Sequence, residues 1–181
     1  MTQPGEVWMR WRVRVGYPVA IVYAVLAKPA PWSILAGAAV AALGLLIRAR
    51  AAGHLRKHEA LSTTGPYAFT RNPLYFGSAL LAAGFLLAGR SWIAALVVGA
   101  YFALFYTAVM RREERELRAH YGAAFDEYAA RVPLFWPRLT SAGAAGSDFS
   151  WKLYSRNREY QAALGTLAGL LLLWGKMLWL G

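Results

Sequence analysis

Hydrophobic and polar positions in this chain segregate into blocks. Apolar runs at 13–27, 32–47, 73–88, 92–110 and 160–180 are separated by segments that carry nearly all of the charge. Runs of this length, with charge only near their ends, predict helices that cross a lipid bilayer. Several fall short of the roughly 20 residues that a full crossing needs. Short spans ride deep, thin the bilayer locally or borrow flanking residues. Lys28-Pro29-Ala30-Pro31 and Gly89-Arg90-Ser91 are tight-turn sequences between neighbouring runs. The pattern predicts an all-α polytopic membrane protein of about five transmembrane helices. Arg10, Arg12 and Arg14 before the first run resemble the start of a signal peptide. No small-residue cleavage site follows and the second run begins almost at once, so the first run is expected to stay as a span.

Composition sharpens this picture. The chain is 58% hydrophobic with a mean hydropathy of +0.33, where soluble domains lie near 45–50% apolar. It has no Cys, which excludes disulfides, thiolate nucleophiles and Cys-ligated metal centres. The net charge of +11 would raise nucleic acid as a partner of a soluble protein. Here the cations flank membrane spans and face anionic membrane lipids, so no nucleic acid is expected.

The distribution of cations also sets an orientation. Three lie before the first span, five between spans two and three, and nine between spans four and five, which is 17 of the 20. The opposite face has Lys28, Arg90 and Lys176. The positive-inside rule therefore predicts a cytoplasmic N-terminus, with both long polar segments on the same side. Small residues punctuate the spans: Gly37, Ala41 and Gly44 in the second, and a GxxxG at Gly165 and Gly169 in the fifth. Close helix packing accounts for them, and the GxxxG is compatible with a homodimer.

Two polar stretches carry candidate chemistry. In the first, Gly65-Pro66 is a turn, and Asn72-Pro73 has the form of an N-cap and first helical residue opening the third span. Free N–H groups at such a start, with Arg71 beside them, suit a carboxylate or ribose oxygens. From spacing alone the same residues read more simply as a capped helix with a snorkelling arginine. In the second, Leu117, Tyr121, Ala124, Phe125, Tyr128 and Val132 recur at helical spacing below the fourth span. Glu113 and Glu114 flank that stripe, either as site carboxylates or as solvated charges in helix pairs such as Glu114 with Arg118. His54 and His58 share a helical spacing, but no third ligand is suitably placed, so no metal site is expected. Ser-His-Asp, P-loop and Rossmann arrangements are absent from the sequence.

Together, "GPYAFTRNPLYFG" and "EERELRAHYGAAFDEYAARVPLFWP" resemble the isoprenylcysteine carboxyl methyltransferase and phospholipid methyltransferase superfamily. The shared pattern is Gly65-Pro66-Tyr67, Arg71-Asn72-Pro73-Leu74-Tyr75, Glu113-Glu114-Arg115-Glu116-Leu117, Tyr121-Gly122, Tyr128 and Pro137. The resemblance implies an S-adenosylmethionine-dependent membrane methyltransferase with its cofactor pocket at the cytoplasmic face. Carried over, Gly65, Pro66, Tyr67, Arg71, Asn72, Pro73, Tyr75, Glu113 and Glu114 would bind cofactor. Glu114, Tyr128 and Arg131 would serve catalysis near the acceptor. Asn72 replaces the family's usual His and cannot titrate as a base.

On this reading residues 1–54 form an N-terminal transmembrane hairpin and 55–138 the methyltransferase core. Residues 139–159 form a linker, and 160–181 a C-terminal transmembrane helix that compact members of the family lack. The acceptor would be a lipid or other small hydrophobic molecule entering from the bilayer, past Tyr67, Phe69, Tyr75, Phe76, Tyr106 and Trp136. In-line methyl transfer needs mainly alignment, which can supply roughly 7–11 kcal/mol. Two other readings fit the sequence: an NADPH-dependent reductase of the sterol-reductase type, and a non-enzymatic membrane protein.

Overall fold

The computed structural model describes residues 4–56, 59–142 and 149–180. Among them the regular structure is helical. Helix α1 spans Pro4–Leu26 and α2 Pro31–Ala52; a 3-10 turn, Gly65–Ala68, precedes α3, Pro73–Gly89. Helix α4, Trp92–Tyr101, runs through a π-helical turn, Phe102–Tyr106, into α5, Thr107–Tyr121. Then come α6, Ala123–Arg131, α7, Trp151–Arg156, and α8, Tyr160–Leu180. Three helical stretches are long and apolar enough to cross a membrane: Pro31–Ala52, Trp92–Tyr121 and Tyr160–Trp179. Arg14–Leu26 and Pro73–Gly89 are shorter apolar helices. Their outward faces are greasy, with Leu172 on α8 75% exposed and Leu96, Leu104 and Leu171 also outside. Such a surface suits lipid and not water.

The apolar runs underestimate the helices. The first is the end of a 23-residue helix and the second part of a 22-residue one, so both borrow flanking residues. The third stays at 17 residues. The 139–159 linker is not wholly irregular, because it contains α7, whose first turn is capped by Ser150 Oγ accepting from Leu153 N.

Helices α2 and α3 form the tightest pair, and glycines set their separation. A Cβ on Gly84 would meet the Gly37 carbonyl and Ala41 N, and one on Gly77 would lie 2.8 Å from the Gly44 carbonyl. Gly37 and Gly44 meet Gly84 and Gly77 in return. Backbone against backbone of this kind is how membrane helices gain dispersion contact without a hydrophobic drive. The GxxxG in α8 is used differently: Gly169 receives the Phe85 ring, while Gly165 has open space beside it.

Helix α8 is fastened at both ends of the bundle. At one end Lys176 Nζ donates to the carbonyls of Ala24 at 2.6 Å and Val25 at 2.8 Å, closing the C-terminus of α1. Lys28 N donates to Gly89 O at 2.7 Å, and the Arg90 guanidinium lies 5.2 Å from the Trp32 ring centre. The three sparse cations therefore share one end. At the other end Arg48 Nε and Nη2 donate to Glu159 at 2.5 and 3.0 Å. Arg48 Nη1 donates to Leu74 O and Ser78 Oγ. Asn157 Nδ2 donates to the Ala52 and Leu55 carbonyls, finishing α2.

Candidate active site at the charge-rich end

The segment entering α3 is laced to the segment leaving α6. Arg71 N donates to Pro133 O, Arg138 N to Phe69 O and Ala142 N to Ala68 O, at 2.9, 2.9 and 3.0 Å. Thr70 Oγ1 donates to Phe135 O at 2.9 Å, and Tyr128 Oη to Tyr67 O at 2.7 Å. These bonds hold the Gly65–Ala68 turn, the start of α3 and residues 132–138 as one wall. Gly65 makes the turn possible: its φ is +59°, and a Cβ there would strike the His54 ring. The hydrogen on His54 Nδ1 goes to Arg50 O at 2.7 Å. His58 lies outside the described residues, where the spacing with His54 is not described.

The two stretches singled out in the sequence meet across this wall. Arg71 Nη2 lies 2.7 Å from Glu114 Oε1, with the side chains only 15% and 19% exposed. Arg71 Nη1 also donates to Ala129 O at 3.1 Å. One turn along α3, Tyr75 Oη donates to Glu113 Oε1 at 2.5 Å, and the Tyr75 ring stands edge-on to Tyr106 at 5.5 Å. Glu113 and Glu114 thus each bind α3 or its entry. Arg118 pairs with Asp126 at 2.7 Å, not with Glu114.

Buried polar capacity is left over here. Arg71 Nε and Arg112 Nη1 have no acceptor among the described residues, and Glu114 Oε1, though in ion-pair contact, is off hydrogen-bond alignment. Shielded donors and acceptors without partners are costly and call for a water, ion or ligand to complete them. The amino-acid end of S-adenosylmethionine offers a carboxylate for an arginine N–H. Its ammonium and ribose hydroxyls offer donors for a glutamate oxygen. The residues present therefore fit this cofactor.

Other predicted residues take different places. Asn72 holds the N-cap position, and its carbonyl accepts from Phe76 N at 2.9 Å, but its side chain makes no cap. It turns away and Nδ2 donates to Leu134 O at 2.9 Å. That role needs an N–H and no titration, which is how an amide can stand where the family carries an imidazole. Pro73 begins α3 and is buried. Tyr67 is buried too, so it does not line a lipid mouth, and burial foremost raises its phenol pKa above the ordinary value. Burial raises that of Tyr128 likewise. Its hydroxyl hydrogen is committed to Tyr67 O. Arg131 is not brought to the pair: its guanidinium is on the outer face of α6, 3.2 Å from Glu127.

The single stripe from Leu117 to Val132 is also corrected. Gly122, with φ +52° and ψ −127°, ends α5 and starts α6, so the helical register restarts. Phe125, Tyr128 and Val132 are buried together with Tyr121 against them, whereas Leu117 and Ala124 are exposed.

Several contributors escaped the sequence reading. Residues 132–138 supply the backbone acceptors for Arg71, Asn72 and Thr70, and Phe135 joins the expected Trp136 in packing edge-on to Phe76, at 5.8 and 6.3 Å. Backbone acceptors leave no trace in side-chain identity. Glu159 was detectable in principle, as a carboxylate at the edge of a span that must find a cation.

Comparison with known proteins adds the following likenesses. The chain is 41% identical over 85 residues to the cobalt-zinc-cadmium resistance protein CzcN of Cupriavidus metallidurans. It is 40% identical over 85 residues to the nickel-cobalt-cadmium resistance protein NccN of Alcaligenes xylosoxydans xylosoxydans. Each match covers 47% of this chain and 39% of the relative, so the chain matches well under half of their length. No solved structure matches. A sequence profile matches residues 32–124, more than half of the chain and inclusive of Arg71, Tyr75, Glu113 and Glu114: the protein belongs to the phospholipid methyltransferase family.

Proposed function

We propose that this protein transfers a methyl group from S-adenosylmethionine to a lipid or small hydrophobic acceptor at the cytoplasmic face of the membrane. The observation that carries the reading is the shielded Arg71–Glu114 pair with its unmatched Arg71 Nε, set where α3 and the α4–α5 rod leave the apolar zone. Family membership supports the reaction class. The charge asymmetry supports the cytoplasmic side.

When bound, the cofactor supplies a methyl group activated on a sulfonium. The chain's part is positioning. Arg71 would hold the cofactor's carboxylate through its free N–H donors, and Glu114 would accept from its ammonium or a hydroxyl. Tyr75 orients Glu113 through the 2.5 Å bond. The apolar helices exclude water, which keeps a charged acceptor reactive. A carboxylate or thiolate acceptor needs no base; an amine must lose a proton, and a nearby carboxylate such as Glu114 would accept it. Phe76, Phe135 and Trp136 support a lipid-facing entrance, Trp136 being largely exposed. A lipid tail gains about 0.8 kcal/mol per CH₂ kept from water, so such an acceptor presents only its head.

The test incubates the protein with radiolabelled S-adenosylmethionine, a total membrane lipid extract and a panel of water-soluble acceptors. Label is expected in the lipid fraction. Label confined to water-soluble acceptors would sink the lateral-entry reading, and no label with any acceptor would count against transfer. Single cysteines at Ser91 and Ser155 test the orientation, with only Ser91→Cys expected to react from outside intact cells.

A further inference from the structure

A cavity lies apart from the Arg71–Glu114 pair. It encloses about 320 Å³, within the range of small-ligand pockets, about 300–1,000 Å³. Its floor is Gly53 and His54, directly after α2. Its rim carries Arg56, Glu59, Lys152 and Arg156. The balance of charge there is three cations to one carboxylate. Arg156 Nη1 takes Glu59 Oε1 at 2.6 Å, and that hydrogen bond, with the fields of Arg156, Arg56 and Lys152, holds the Glu59 carboxyl below its ordinary pKa. Arg56 and Lys152 have no side-chain hydrogen bond or ion pair among the described residues. Two further cations thus stand beside the Arg156–Glu59 pair, acting on Glu59 through space without a paired carboxylate of their own.

The cavity adjoins the ends of two apolar helices. Residues 53–59 follow immediately on α2, and Arg156 is four residues before α8. Trp151, 73% exposed, adjoins Lys152 and stacks edge-on with Tyr154 at 5.7 Å. Aromatic side chains of this kind settle at the headgroup level of a bilayer.

We propose that this cavity binds a phosphate group, and that an anionic membrane lipid supplies it. A tetrahedral phosphate accepts from several directions at once, which suits an arginine fork and a lysine point charge converging from two segments. The site draws α7 to the membrane surface and is independent of the transfer reading, because it shares no residue with Arg71, Glu113 or Glu114.

The experiment uses the full chain in an uncharged detergent, with thermal unfolding as the readout of binding. The probes are dihexanoyl phosphatidic acid, dihexanoyl glycerol and inorganic phosphate. Phosphatidic acid is expected to raise the midpoint and the glycerol lipid is not. In the R56Q/K152Q variant the apparent Kd should rise by about tenfold or more, the loss for at least one charge-assisted bond. Lys152→Arg should keep it. Both replaced side chains are exposed, so the unliganded midpoint should stay put, and S-adenosylhomocysteine binding should be unchanged. Equal stabilisation by dihexanoyl glycerol, or an unchanged Kd in R56Q/K152Q, would overturn the site. Inorganic phosphate binding as tightly as phosphatidic acid would uphold the phosphate chemistry and overturn the lipid source.

Discussion

Replacing Glu114 by Gln removes one charge and leaves the side chain's shape. The magnitude follows from the surroundings of the pair. Exposed ion pairs are worth about 0–1 kcal/mol, and breaking a fully buried one costs about 3–5 kcal/mol. Arg71 and Glu114 are 15% and 19% exposed at 2.7 Å, and Arg71 retains the Ala129 carbonyl. The stability loss should therefore fall between those limits, about 1–2 kcal/mol. Ligand affinity should fall further. Losing a hydrogen bond to a charged group costs about 1.5–3 kcal/mol, so the Kd for S-adenosylhomocysteine should rise by about 10- to 150-fold. Glu113→Gln should do less to stability, since Glu113 is exposed. Isothermal calorimetry in detergent gives the affinity, and thermal unfolding confirms that the chain is folded. Unchanged affinity in Glu114→Gln, Glu113→Gln and the double variant would refute the assignment of this corner to the cofactor.

Three other outcomes are expected. Glu159→Ala strands Arg48, 20% exposed against 7% for its partner, and should destabilise by about 3 kcal/mol, with the R48L/E159L double variant recovering much of that in an unfolding cycle. Gly84→Leu should separate α2 from α3 and prevent stable folding, seen as loss of a cooperative unfolding transition, whereas Gly165→Leu, with open space beside it, should be tolerated. Tyr128 has a raised phenol pKa in the fold; its contribution is complete below the unfolded value of about 10 and is lost as pH rises past it. Tyr128→Phe should therefore be less stable than the parent at neutral pH, by about 1 kcal/mol for the bond to Tyr67 O, with the gap narrowing in alkaline unfolding titrations.

What the sequence disclosed follows from the range over which each signal acts. Apolar blocks report burial in lipid directly, so the spans and their charge-rich end were legible from residue types alone. The Arg71 and Glu113–Glu114 stretches were legible as motifs, since both sit where polar groups meet span ends. Their pairing was not, because it depends on how α3 and the α4–α5 rod lie against each other. The helix break at Gly122 was hidden by a stripe whose spacing happens to continue across it. A glycine one residue after the Tyr121 end of α5 was the available cue, and the helical periodicity on either side masked it. Asn72 is the reverse case. Its backbone follows the N-cap pattern while its amide answers to Leu134 O, a partner 62 residues away that no local rule contains.

The fifth span, which sequence alone leaves without a role, gains one from the same long-range bonds. The segment that leads into it, residues 149–159, braces the site. Ser150 N donates to Gly53 O at 3.1 Å, and Phe149 packs edge-on to His54 at 6.5 Å. The His54 ring in turn occupies the space that Gly65 leaves open, so the turn opening the motif loop rests on it. Asn157 and Glu159 then tie the same end of α2 to the start of α8, and Arg48 carries the connection to Leu74 and Ser78 on α3. Both α3 and the Gly65–Ala68 turn thus rest on Arg48 and His54, which are held in turn by Glu159 and Phe149, outside the stretch that the family profile matches. Loosening of this brace should reach the ligand. Glu159→Ala should weaken S-adenosylhomocysteine binding although Glu159 touches neither Arg71 nor Glu114, while Glu116→Ala, which loses only an exposed i,i+4 pair with Arg112, should leave both stability and affinity near their parent values.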